Sequence, residues 1–130
     1  MLLAGLLLGT AALAQSDFRR AQELAFSGER EAARELCYEI LSESPGHLDA
    51  RILLGRTYAW DGRYEEARKE LAYALQQRPD YTDARNALVD VEMWDDKYER
   101  ALMLLDAGLA RNPTNADFLY KKARVLRKLE

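Results

Sequence analysis

Apolar residues recur along this chain at helical spacing, as in Leu54 and Tyr58 and then Ala67, Leu71 and Ala74, and the pattern itself repeats. Pro45, Pro79 and Pro113 stand 34 residues apart, and so do Ala33, Ala67 and Ala101. Gly28 and Gly62 share that spacing with Asp96 in the third slot, inside the aligned segments GEREAA, GRYEEA and DKYERA. Three columns agreeing on one period describe a chain built from repeated units, each too small to bury its apolar face alone. Within a unit the glycine supplies the positive backbone angle that ends one helix and turns the chain back. The proline follows the second helix and cannot continue it. The pattern predicts helices near residues 17–27, 31–44, 48–61, 64–77, 82–94, 98–111 and 116–129. That is an all-α chain of three helical hairpins plus one C-terminal helix.

The residues of the second unit, LLGRTYAWDGRYEEARKELAYALQQRP, resemble a tetratricopeptide repeat (TPR), with the family's marks at Leu54-Gly55, Tyr58, Ala67, Leu71, Ala74 and Pro79. The resemblance implies a TPR superhelix over residues 15–130, with repeats at about 14–47, 48–81 and 82–115 and a partial unit at 116–130. Small residues at Gly55 and Ala67 let the two helices of a hairpin approach, while Leu54, Tyr58 and Leu71 fill the space around them. The first unit departs with Cys37 where a larger side chain is usual and Leu24 in place of the tyrosine. The third departs with Val89 for the small residue, Glu92 for the tyrosine and Gly108 for the alanine. In the last helix Leu119, Ala123 and Leu126 define an apolar face, with Lys121, Lys122, Arg124, Arg127 and Lys128 elsewhere. Two readings stand for it: a cap on the array, or the front of a longer protein.

The first fourteen residues, MLLAGLLLGTAALA, carry no charged side chain and end in the small-x-small pattern Ala12-Leu13-Ala14. They read as a signal peptide cleaved before Gln15, although the usual Lys or Arg at its start is missing. The run from Leu2 to Leu13 is well short of the roughly 20 residues that span a bilayer. An exported, periplasmic location follows as the expectation. A net charge of −3 gives no general attraction to nucleic acid or anionic lipid. The single cysteine, Cys37, forms no internal disulfide and reads as a small buried apolar residue.

The stretches RILLGRTYAWDGRYEEARKEL and DYTDARNALVDVEMWDDKYERAL are similar to the periplasmic repeats of the YaiO family of bacterial outer-membrane proteins. In that family such repeats precede a C-terminal β-barrel, so the resemblance implies an outer-membrane association and a barrel of the same chain as a partner. No segment here alternates apolar and polar residues over about ten positions, as barrel strands do.

Catalytic chemistry finds little material. The one histidine, His47, sits at a helix entrance just after Pro45-Gly46, and no nucleophile–histidine arrangement can be assembled around it. One His and one Cys do not make a zinc set, and no glycine-rich phosphate loop is present. No cofactor or metal is therefore expected, and the chain reads as non-catalytic. Asp49, Asp83 and Asp117 recur at the 34-residue spacing, each in a first helical turn where a carboxylate meets unpaired N–H groups.

In a TPR array the first helix of each hairpin lines the concave surface. Two columns stand out on those helices. Phe26, Trp60 and Trp94 end successive first helices and suit either an aromatic platform for a peptide or sugar chain or packing against the next turn. Gln22, Arg56, Asp90 and Arg124 form the second column, whose alternating charges either face a ligand or pair with one another across hairpins. The Lys and Asn residues with which some relatives capture a chaperone's terminal carboxylate have no counterpart at Phe18, Gln22, Leu53, Asp83 and Ala87. A protein or peptide in the groove is the expected partner. The alternative is a polysaccharide-export module that guides a saccharide to an outer-membrane pore.

Overall fold

A computed structural model describes residues 2–130, with side chains described at Leu13 and from Gln15 onward. Apart from Leu13, the leader expected over residues 1–14 falls outside the residues described in full. Seven helices are seen: α1 Leu2–Phe26, α2 Arg30–Glu43, α3 Leu48–Trp60, α4 Tyr64–Gln77, α5 Thr82–Trp94, α6 Tyr98–Arg111 and α7 Ala116–Leu129. Six match the expected spans to within a residue at each end. The exception is α1, expected from residue 17 but beginning at Leu2. Its upstream stretch is rich in Leu and Ala and holds no proline to stop a helix.

The punctuation works as its chemistry dictates. Gly28 and Gly62 adopt positive φ of 90° and 73°, and Asp96, in the same repeat slot, adopts 58°. Aspartate is among the few side chains that tolerate this left-handed region. At the other end of each hairpin, Ser44, Arg78 and Asn112 precede the prolines with φ of −132°, −135° and −137°. The proline ring pushes its predecessor out of the helical region, so α2, α4 and α6 stop there.

Each helix packs on the next, and α1 with α3 and α3 with α5 also touch, so the first helices form one continuous inner layer. Its main core joins Leu54, Tyr58 and Leu71 to Ala21, Cys37, Ala74, Leu88 and Val91. A second cluster of Val89, Ala101, Leu105, Phe118 and Val125 binds α5, α6 and α7. Gly55 is a point of close approach: a Cβ there would stand 2.6 Å from Leu71 Cγ.

The irregular third unit has a physical account. Glu92 is buried and forms ion pairs with Arg68 of α4 and, at 3.8 Å, with Arg100 of α6. Gly108 is small because α7 needs the space: a Cβ would meet Phe118 Cε2 at 2.6 Å and Arg85 Cδ at 2.7 Å. This close fit also corrects the expected face of α7. Phe118 and Val125 are buried, whereas Leu119 and Leu126 are 48% and 43% exposed and Ala123 is exposed as well. The side of Phe118 and Val125 packs on α5 and α6, and the side of Leu119 and Leu126 stays about half open to solvent.

Candidate functional site

The inner face carries a cleft of about 370 Å³ whose walls come from α1 and α3 and whose far edge is Tyr81 and Asp83 at the start of α5. Phe18, Phe26, Ile52 and Trp60 give it an apolar lining, and Gln22, Asp49 and Arg56 supply polar groups. The Phe26 ring is 72% exposed and lies 5.7 Å from the Trp60 ring, centroid to centroid, tilted by 51°. Below them Phe18 meets His47 at 5.1 Å. His47 is the N-cap of α3, its Nδ1 accepting from the Ala50 amide at 3.1 Å, which ties the histidine to helix architecture. Tyr81 donates its hydroxyl to Asp49, linking the edge of the cleft to α3.

The aromatic column expected from the sequence is divided in two. Phe26 and Trp60 share the large cleft, while Trp94, 48% exposed, lines a separate hollow of about 90 Å³ with Asp90, Met93, Tyr98, Arg124 and Lys128. The next residue in that column is Lys128, so the aromatic row cannot continue past Trp94. The charged column is corrected too. Arg56, Asp90 and Arg124 do not pair with one another: Asp90 accepts from Lys121 Nζ at 2.7 Å, and Arg124 lies over the Tyr120 ring at 5.8 Å. Asn86 also accepts from Lys121, so α5 and α7 are tied beneath the groove by one lysine. Arg56 is left facing the large cleft.

The three aspartates of the 34-residue column have separate surroundings. Asp49 binds Tyr81, Asp83 edges the cleft, and Asp117 stands 3.5 Å from Lys121 on its own helix. Among the described residues no three His, Cys, Asp or Glu side chains gather in a way that could hold a metal ion. Cys37 is fully buried, and burial pushes its thiol pKa up to about 12, away from nucleophilic chemistry.

Two further columns escaped the sequence reading. Arg34 and Arg68, on the second helices, reach forward to Asp61 and Asp95 at the ends of the following first helices. The first pair spans 2.8 Å. Hydrogen bonds from the arginines hold both carboxyls below the usual aspartate range. Both columns keep the 34-residue spacing, so the same self-comparison that found the prolines could have found them. Ile52 and Tyr81 were missed for another reason: they occupy different repeat positions and meet at the cleft only through folding.

The comparisons with known proteins agree with this geometry. A family model described as tetratricopeptide repeat matches residues 27–88 and 61–125. The second TPR domain of human RPAP3, solved in complex with an HSP70 peptide, superposes with a TM-score of 0.77 at 19% identity, covering 86% of this chain and 93% of that one. The Sgt2 TPR domain from Aspergillus fumigatus gives 0.81 at 18% identity, covering 89% and 78%. An O-GlcNAc transferase from Thermobaculum terrenum gives 0.79 at 24% identity, and there the match covers 89% of this chain but 22% of the enzyme. At these identities the likeness is one of fold. Among curated proteins, none matches in sequence. Sequence period, helix order and structural neighbours thus converge, and the chain belongs to the tetratricopeptide repeat family.

Proposed function

We propose that this chain is a non-catalytic interaction segment of the bacterial cell envelope that binds a peptide portion of a partner protein in its inner cleft. The exposed Phe26 ring beside Trp60, over a cleft of about 370 Å³, carries this reading. An exposed ring beside a half-buried one offers a bound side chain large contact area at small entropic cost. Arg56 in the same cleft favours a ligand with a carboxylate nearby. The peptide-bound RPAP3 domain supports the use of a TPR groove for this purpose.

The test uses fluorescein-labelled peptides selected by phage display on the folded chain, with binding read from the label's anisotropy and, in chains that keep Trp60, also from tryptophan quenching in the Trp94→Phe background. Phe26→Ala with Trp60→Ala is expected to weaken the selected peptides by about tenfold or more, the loss of one good apolar contact. Selected peptides that bind the double variant as well as the parent chain would overturn the groove assignment. Oligosaccharides run in parallel cover the export alternative, since quenching by saccharide and not by peptide would replace this reading with that one.

The envelope location rests on the apolar leader MLLAGLLLGTAALA and on the resemblance to the YaiO family. Among the described residues no helix is long and apolar enough to cross a membrane. Alkaline phosphatase fused after Gln15 is expected to be active in a bacterial host, with the mature chain starting at Gln15. An inactive fusion would remove the envelope from this proposal.

A further inference from the structure

The outer face holds two sister clefts, one between α2 and α4 over α3 and one between α4 and α6 over α5. The 34-residue period lets them be compared position by position. In the first, Arg51 at the floor donates to Glu70 at 2.9 Å, and its guanidinium lies 4.1 Å from the centre of the Tyr73 ring. Tyr38 on the opposite wall hydrogen-bonds Tyr58. A carboxylate and aromatic rings therefore occupy the space above that arginine.

In the second cleft the same positions read differently. Arg85 stands for Arg51, Leu104 for Glu70, Ala107 for Tyr73 and Ala72 for Tyr38. The removal of two rings and one carboxylate leaves an open space of about 380 Å³ lined by Ala72, Leu88, Met103, Leu104 and Ala107. Met103, on its rim, is 73% exposed. Arg85 at the floor is 7% exposed and donates only to backbone carbonyls, those of Leu104 at 3.2 Å and Pro79 at 2.9 Å. Among the described residues no carboxylate lies within 4.0 Å of it. Burial, with the nearby charge of Arg111, pulls its pKa below the usual arginine value. At the other end of the cleft Glu92 is already neutralised by Arg68 and Arg100. The unmet requirement is one negative charge at Arg85 and an aromatic filling beside it.

We propose that the α4/α6 cleft is a second binding site, which takes a partner polypeptide segment carrying an aromatic side chain beside a carboxylate. The ring seats between Ala72 and Ala107, and the carboxylate pairs with Arg85. This site lies on the face opposite the inner cleft and does not depend on the function proposed for that cleft.

The probe is an acetylated and amidated alanine-rich peptide with Glu and Tyr three residues apart, titrated into the folded chain and followed by amide NMR shifts. Shifts are expected around Ala72, Arg85 and Ala107, with affinity falling by about tenfold when the probe's Glu is changed to Gln or its Tyr to Ala. Leu104→Glu with Ala107→Tyr, which restores what the sister cleft contains, is expected to abolish binding and raise the melting temperature. Ala72→Tyr, at an exposed position, blocks the cleft independently should the double variant fold poorly. Phe26→Ala with Trp60→Ala is expected to leave this binding unchanged. A probe that binds no more tightly than its two controls, or that binds the blocked variants as well as the parent, overturns the proposal. So does a set of shifts confined to α1 and α3.

Discussion

A Cβ placed on Gly55 would stand 2.6 Å from Leu71 Cγ and 2.9 Å from Leu71 Cδ2, so the spacing of the second hairpin is set by the hydrogen on that α-carbon. Gly55→Ala in the middle of a helix would ordinarily gain up to about 1 kcal/mol in propensity, but overpacking at this contact costs about 1–3 kcal/mol. The net expectation is a loss of about 1 kcal/mol in urea unfolding. The first unit holds Ala21 and Cys37 at the corresponding positions, both fully buried. Gly55→Ala should accordingly cost less in a Leu71→Cys background. A stabilised single variant would show that the helices can separate at no cost.

Glu92 is buried against Arg68, and removing the arginine leaves that carboxylate with Arg100 at 3.8 Å as its remaining cation. Arg68→Met should destabilise by about 3 kcal/mol, because an unpaired buried charge is costly. Glu92→Tyr should be much milder. The second unit already has Tyr58 at this position, with the Arg34 guanidinium 4.9 Å from its ring centre. Chemical denaturation of the two variants gives the ranking directly, and equal losses would contradict it.

Acid should loosen the stack through Asp61 and Asp95. Both carboxyls are held below their unfolded value by the arginines of the preceding hairpin. A depressed folded pKa gives stability that is present above the unfolded value of about 3.9 and is lost as the pH falls through the lower folded value. Asp61→Asn with Asp95→Asn should therefore flatten the loss of stability between about pH 5 and pH 2. An acid limb of unchanged slope would rule these two groups out as its cause.

Cys37 is fully buried, with its thiol pushed up to about 12 by burial. Ellman's reagent at mild alkaline pH is expected to leave the native chain unmodified and to label one thiol once urea unfolds it. Rapid labelling of the native chain would mean that α2 opens locally.

Much of the architecture was legible because it rests on short-range chemistry. Pro45, Pro79 and Pro113 end helices by their own sterics, and Gly28, Gly62 and Asp96 turn the chain through a backbone region that few residues enter. Such residues act through neighbours a few positions away, so their spacing alone counts the hairpins. The groove was legible only in part. Phe26, Trp60 and Trp94 are one column in the sequence but two sites in space, and Asp90 turned to Lys121 instead of to Arg56 or Arg124.

The order of helices, the family and the periodic aromatic and acidic positions were thus determined by the sequence itself, since each follows from a local rule repeated every 34 residues. Only the tertiary structure decided which face of α7 is covered, why Gly108 must be small, and that Arg85 lies buried without a carboxylate partner. Those outcomes depend on side chains from three different helices meeting in one place. A period within one chain records what repeats, and the clefts differ where the repeats do not.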